Sequence, residues 1–363
     1  MGANGENGVM QQHVPDDVAR MFTPILAQLR GDLAAQFGGP DLRLDPMTYE
    51  DRPFSHLLRI RATNGGRDRE RRFFVKIVKA NPDNGGVARM RRRVADDFRA
   101  TGRIADAMAH HEDLAVVRPV ACYVDDLVIV TEEVLGETLR EYLDAHARWF
   151  PSQLATRDAE QTLSSVGRWL RAFQAVDPVT GPVSLPDLRE YVDVRLRRLV
   201  ERGVWTAAQR QGVLGHLMAL ESDVSRDELQ EVLVHADLAP GNILVSPGRI
   251  TVIDLAMVQR GTALHDISRL YLQLDALRAK PQFRPAMVTR LQTALLRGFD
   301  PALTAERPLF RFLVMLHRIN HLGTLSLKRE RFPGSLHSRR VLRVHRAWIE
   351  KELQQGAGRV VGQ

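Results

Sequence analysis

The chain has 363 residues, long for one compact domain, so two domains or lobes are expected. Hydrophobic residues at 44% and charged residues at 26% are ordinary globular composition and exclude a disordered chain, and a single cysteine, Cys122, excludes a disulfide scaffold or a cysteine-rich zinc site. The net charge of +7 is unevenly placed: residues 301–363 hold twelve Lys/Arg against four Asp/Glu, and the other 300 residues are balanced to within one charge.

Residues 1–13 are rich in Gly, Asn and Gln and are expected to be disordered. No basic region followed by an apolar run opens the sequence, and no stretch approaches the roughly 20 apolar residues needed to span a bilayer, so a soluble cytoplasmic protein is expected. Residues 15–36 carry Val18, Met21, Phe22, Ile25, Leu29 and Leu33 at helical spacing and read as a leading helix. Three strand-like runs follow between 42 and 79, the last two separated by a turn signal at Asn64-Gly65-Gly66. A break at 80–86 precedes a long helical segment over about 87–109, then two short strand runs (VVRPVACYV and LVIVTEEV) closed by Gly136.

From 137 to about 230 the pattern is helical, interrupted by a Pro-containing stretch at 178–186. A compact loop-and-strand patch, LVHADLAPGNILVSPGRITVIDLAM, is then embedded before a helical remainder. A small strand-rich part followed by a larger helical part predicts an α+β fold with segregated lobes.

The densest polar signal is His235-Ala236-Asp237-Leu238-Ala239-Pro240-Gly241-Asn242, with Asp254 twelve residues beyond Asn242. Two carboxylates and an amide stand at the edges of short apolar strands. Asp and Asn oxygens are hard ligands suited to Mg²⁺, and a carboxylate left off the metal can take a proton from an attacking hydroxyl.

This pattern, H-x-D-L-x-x-x-N followed by I-D, resembles the catalytic loop and metal-binding Asp of the protein-kinase-like phosphotransferases, and most of all the aminoglycoside phosphotransferase and choline kinase group. The resemblance spans roughly residues 45–275. It implies a two-lobed protein-kinase-like fold with a small β-rich N-lobe, a larger helical C-lobe, and ATP and Mg²⁺ held in the cleft. Asp237 would be the catalytic base or hydroxyl-orienting residue, Asn242 and Asp254 would hold Mg²⁺, and His235 would structure the loop. Downstream, Gly261 to Ser268 resembles the family's G-x-x-x-x-D-[LI]-[AS] segment, and Asp266 is expected to be structural, at the start of a helix.

Upstream, the resemblance implies an ATP-anchoring lysine on the third strand, and Phe73-Phe74-Val75-Lys76-Ile77-Val78 supplies Lys76. Strand alternation puts Lys76 on one face with Phe74 and Val78, and Phe73, Val75 and Ile77 on the other. Its acidic partner would be Asp96 or Asp97, where the family usually has Glu. Backbone groups near Glu133 and Leu135 would read adenine. The turn joining the first two strands, Glu50 to Ser55, has no glycine, so Ser55 and nearby N–H groups are left to cap phosphate. The implied division is 1–39 start and leading helix, 40–133 N-lobe, 134–136 hinge, 137–355 C-lobe and 356–363 tail.

The acceptor region in this fold is built largely from the C-terminal helices. Here Arg318, Lys328, Arg329, Arg331, Arg339, Arg340, Arg343 and Arg346 face Glu330 alone. In 309–322 the apolar residues fall on one helical face, and His317, Arg318 and His321 together on the other. Such a field repels a cationic aminoglycoside and attracts phosphate or carboxylate. The expected activity is transfer of the ATP γ-phosphoryl to a hydroxyl of a neutral or anionic small molecule of saccharide type, with His317, Arg318, His321, Arg339 and Arg340 at the acceptor. The alternatives are a nucleotide-binding pseudokinase that regulates a partner, and a basic-patch binder of nucleic acid or membrane surface. Aromatic content of 6% weighs against nucleic acid. The sequence leaves the oligomeric state open.

Overall fold

The computed structural model describes residues 16–37, 41–64, 70–80, 86–327 and 334–360. Residues 1–13, Gly65-Gly66, most of the 80–86 break, and Lys328, Arg329 and Arg331 lie outside them. The fold is α+β and divides into two compact units, a sheet-based one (1–107, 116–135 and 254–256) and a larger helical one (108–115, 136–253 and 257–363).

The first unit opens with α1 (Asp16–Phe37), followed by β1 (Leu42–Arg52), β2 (Ser55–Asn64), β3 (Arg71–Val78) and α2 (Gly86–Ala107). After β4 (Leu114–Val116) come β5 (Pro119–Tyr123) and β6 (Val128–Glu132). The antiparallel sheet has the order β1-β2-β3-β6-β5. One face is dry. Phe73, Val75 and Ile77 alternate inward along β3 and pack with Val128 and Val130 under the apolar stripe Phe22, Ile25, Leu29 and Leu33 of α1. On the opposite face a smaller cluster joins Met90 and Val94 of α2 to Leu127 and Ile129. Lys76 lies between Phe74 and Val78, paired in register with Leu57 and Ile129, and so belongs to the α2 side.

The helical unit contains β7 (Glu137–Thr138), α3 (Leu139–His146), α4 (Gln153–Gln174), β8 (Thr180–Pro182), α5 (Leu185–Glu201) and α6 (Ala207–Ser222). The embedded patch forms β9 (Gln230–Val234), β10 (Ile243–Ser246), β11 (Arg249–Val252) and β12 (Gln259–Thr262). It is followed by α7 (His265–Asp275), α8 (Pro285–Phe299), α9 (Pro308–Leu327) and α10 (Gly334–Val360). The patch is not one hairpin but two small sheets, β4-β11-β10-β7 and β12-β9-β8. The loop between β9 and β10 therefore crosses from one sheet to the other. Pro247-Gly248 turns β10 into β11 with Gly248 at φ +72°, the residue pair a type II turn favours.

Helices α4 and α8 meet at backbone contact. A Cβ added at Gly298 would stand 2.1 Å from the Ser164 carbonyl oxygen, and one added at Gly167 would stand 2.4 Å from the Leu295 carbonyl oxygen. Neither neighbour is a side chain that can swing aside. Gly298→Ala is therefore expected to cost about 1–3 kcal/mol through helix displacement, read as a lowered urea midpoint, whereas Gly215→Ala, with open space around it, should not lower it.

Candidate active site

The sheet-based unit gathers three charged side chains. The Lys76 ammonium donates to Asp254 Oδ1 at 2.9 Å, with both side chains about one-third exposed or slightly more. Of the two candidate acids on α2, the helix rotation turns Asp97 inward. Asp97 lies in the field of both Lys76 and Asp254 and accepts from the Thr101 hydroxyl at 3.3 Å. Asp96 points away, 68% exposed, and pairs with Arg99 one turn on. Burial pushes the Asp97 carboxyl above the usual range; Lys76 opposes that shift and the Asp254 charge adds to it. Asp254 adopts φ +63°, a conformation that costs a non-glycine residue energy and that recurs at functional sites.

One expectation for this unit is corrected, at Ser55, and one is narrowed, at Glu133. Ser55 does not present its hydroxyl at a loop tip: it is 6% exposed, pairing with Arg52 and Val78 inside the sheet. The tip is Pro53-Phe54, with Phe54 74% exposed. The turn is fastened from behind by Lys79, whose ammonium holds Asp51 at 2.5 Å and the Arg52 carbonyl at 2.7 Å. The Glu133 N–H is also spent, donating to the Arg72 carbonyl at 2.8 Å, while its carboxylate pairs with Arg59 at 2.6 Å. Leu135 is 67% exposed.

In the helical unit the segment His235–Asn242 is held from beneath. Asp266, fully buried, accepts the His235 N–H at 2.6 Å and the Ala236 N–H at 2.9 Å. It is not an N-cap: Leu264 holds that position, and its side chain makes no cap hydrogen bond. The His235 ring is fully buried. Its Nδ1 accepts the Asp237 N–H at 3.3 Å, which leaves Nε2 to donate to the Ile253 carbonyl, also at 3.3 Å. Ala236, at φ +62°, turns the backbone so that Asp237 emerges half-exposed. Asn242 Nδ2 donates to the Asp237 carbonyl at 3.1 Å, which leaves Oδ1 as the side-chain atom that could hold a metal ion. Ile253, the residue before Asp254, donates its N–H to the Asn242 carbonyl at 3.0 Å.

Arg269 escaped the sequence reading. Its guanidinium meets Asp237 Oδ1 at 2.6 Å. The available signal was its position three residues after Asp266, which places both on one face of α7. Asp237 is thus oriented at both ends, by His235 on its backbone and Arg269 on its carboxylate.

The expected polar face of α9 is absent. The helix is buried on every side between Leu309 and Ile319. His317 is 4% exposed and bonds the His265 carbonyl at 3.0 Å; burial holds its pKa well below the ordinary value. Arg318 is 1% exposed, donates to Asp275 at 2.7 Å and to His345 Nδ1 at 3.0 Å, and lies over the Trp348 ring at 4.3 Å. Because His345 Nδ1 accepts, its Nε2 donates to His321 Nδ1 at 2.9 Å. Burial, with Arg318 alongside, pushes His345 down to about 3, so the ring stays neutral. Arg318, His345 and His321 bind one another and His317 is tied to the start of α7; His317, Arg318 and His345 lie in the core rather than at an acceptor site, and His321 is half-buried. The long-range partner Asp275 draws Arg318 inward. Arg339, Arg340, Arg343 and Arg346, by contrast, are exposed on α10.

Comparison with known proteins agrees with this geometry. Residues 60–309 match the family described as the phosphotransferase enzyme family. No curated protein sequence matches the chain. Among solved structures, the aminoglycoside phosphotransferase APH(4)-Ia is similar at TM-score 0.52 and 15% identity, covering 88% of this chain and 98% of that one. A choline kinase from Cryptosporidium parvum Iowa II is similar at TM-score 0.52 and 12% identity, covering 94% and 96%. A thermostable APH(4)-Ia mutant, solved with AMP-PNP and hygromycin B, gives TM-score 0.50 and 17% identity over 88% and 98%. Among the described residues no helix is long and apolar enough to cross a membrane.

Two outcomes test the site. Asp97→Asn should lower activity, yet raise stability at pH 7 by removing a buried carboxylate whose ionised form the fold disfavours. The folded-state pKa is raised, so the gap between variant and parent should close as pH falls through it; urea midpoints at pH 7 and pH 4 check the sign. Arg318→Ala should cost about 3 kcal/mol or more, by opening a cavity beside Trp348 and leaving buried Asp275 with Arg278 as its remaining guanidinium, measured by urea unfolding; an unchanged midpoint with a raised acceptor KM would return Arg318 to the acceptor site.

Proposed function

Because the chain belongs to the phosphotransferase enzyme family, we propose that it moves the γ-phosphoryl of ATP to a hydroxyl of a small molecule. The observation that carries this reading is the doubly oriented Asp237 on a loop that also presents Asn242 Oδ1. Asp237 aligns the acceptor hydroxyl and takes its proton. The acceptor oxygen forms a bond to the γ-phosphorus as the bond to the bridging oxygen breaks and ADP leaves. Positioning and charge stabilisation, rather than covalent catalysis, supply the rate.

Lys76 would hold nucleotide phosphates, oriented by Asp97 and Asp254. Adenine would be read by the Glu133 carbonyl and the Leu135 backbone, since the Glu133 N–H is engaged. Asn242 and Asp254 fit Mg²⁺, which prefers one or two protein oxygens with substrate phosphates completing its shell. Bound there, Mg²⁺ would neutralise charge on the phosphates. The protein would act in the cytoplasm.

The acceptor is neutral or anionic, of saccharide type, rather than a cationic aminoglycoside. The exposed guanidinia of Arg339, Arg340 and Arg343 on α10 support this, with no described carboxylate pairing with them. ADP release should be screened against sugars, sugar phosphates, amino alcohols and aminoglycosides. Asp237→Asn should lower turnover about 10²–10⁴-fold. Arg339→Glu with Arg340→Glu should raise the KM of an anionic acceptor and leave that of ATP unchanged; preferred turnover of an aminoglycoside would refute the charge reading. Mg²⁺-independent nucleotide binding without turnover would favour the regulatory alternative.

A further inference from the structure

A cleft of about 530 Å³ opens between α4 and α8, walled by helical residues that take no part in the nucleotide or catalytic groups. Its walls are two matched rows at i, i+4, i+7 spacing. Arg157, Gln161 and Ser164 come from α4, and Arg290, Ala294 and Arg297 from α8, joined by the Thr293 hydroxyl. One carboxylate lines it, Glu160, and both its oxygens are held by Arg290, at 2.6 and 3.1 Å. That leaves Arg157 and Arg297 with no hydrogen-bonded or ion-paired partner among the described residues, opening with Ser164 and Thr293 into one concave space. The spacing of the rows is fixed, because Gly167 and Gly298 bring the two helices to backbone contact one turn away.

We propose that this cleft is a second ligand site, selective for a phosphate group. The chemistry is that of a tetrahedral dianion. Guanidinium forks match phosphate oxygens two at a time, and the hydroxyls donate to those that remain. The Arg290–Glu160 pair completes the wall without adding net charge, so the cleft carries two uncompensated positive charges. Its volume exceeds that of one phosphate ion and falls in the range of small-molecule sites, which leaves room for the organic part of a phosphomonoester. The cleft's lining does not rest on the phosphotransferase reading; the AMP-PNP that fills the nucleotide groups in the test does.

The test uses the full chain saturated with Mg²⁺ and AMP-PNP, so that the nucleotide groups are filled. Inorganic phosphate and glycerol 3-phosphate are titrated separately by calorimetry at low ionic strength. One site is expected for at least one of them, weakened about tenfold by Arg157→Ala and about 100-fold by the Arg157→Ala/Arg297→Ala double variant. Tighter binding of glycerol 3-phosphate identifies an ester site, and equal or tighter binding of phosphate a free-phosphate site. Ala294→Glu, which leaves both arginines in place but adds a carboxylate to the wall, should abolish binding as well. An unfolded double variant therefore does not decide the matter. The proposal is overturned by no binding of either probe at up to about 10 mM, by binding that appears in a parallel titration without AMP-PNP and vanishes with it, or by binding that the double variant or Ala294→Glu leaves within about twofold.

Discussion

The chemistry of the helical unit rests on one buried carboxylate. Asp266 accepts the backbone N–H groups of His235 and Ala236, and a fully buried anion with two such donors is a fixed point that the rest of the loop can be measured from. The turn at Ala236 is costly in backbone terms, and it persists because Asp266 holds the N–H groups of the bend residue and of the residue before it. Without that anchor the His235 ring would lose its place between Asp237 and Ile253, and Asp237 would no longer have a defined direction. The same helix then supplies Arg269, so α7 sets both the backbone and the carboxylate of the proposed base. The loop is short of side chains of its own (Ala239, Pro240 and Gly241 stand between Asp237 and Asn242), and its geometry is borrowed from the helix beneath it.

The sheet-based unit follows a different logic. Its dry face, under α1, is packed with Phe73, Val75 and Ile77, and supplies stability. The face toward α2 has a much smaller apolar cluster and concentrates charge instead: Lys76, Asp97 and Asp254 in one another's field, with burial working against Asp97. Such an arrangement is poor for folding and good for binding a polyanion with its counter-ion, and strain and stability trade against each other across the thickness of a single sheet.

Much of this was legible in the amino-acid sequence, and the boundary has a physical cause. The lobed α+β fold could be read because strand alternation and helical periodicity are local. The grouping of Asp237 and Asn242 could be read because five residues of loop fix their distance. Choosing Asp97 over Asp96 required the rotation of α2 about its axis, which depends on how Met90 and Val94 pack. Arg318 was misread for a stronger reason: the hydrophobic pattern of 309–322 is one-sided, yet the helix is enclosed, because Asp275, 43 residues upstream, offers a buried partner that no local pattern reveals. Ser55 shows the same limit. A turn without glycine left Ser55 as the residue to cap phosphate, but Ser55 is buried within the sheet and Lys79 behind the turn holds it in place.

The glycine contact between α4 and α8 also bears on the order in which the molecule assembles. Gly167 and Gly298 are about 130 residues apart, so bringing them together closes a long loop, at an entropic cost of roughly 4 kcal/mol. Contacts of that range are late events in folding. Every residue of the candidate catalytic loop, with His235, Asp237, Asn242 and Asp266, lies inside that loop of chain. The loop's own hydrogen bonds, Asp237 to His235 and Asn242 to the Asp237 carbonyl, span two to five residues and need no such closure. A chain halted before residue 298 would therefore hold the whole candidate catalytic segment and lack the glycine that lets α8 seat against α4.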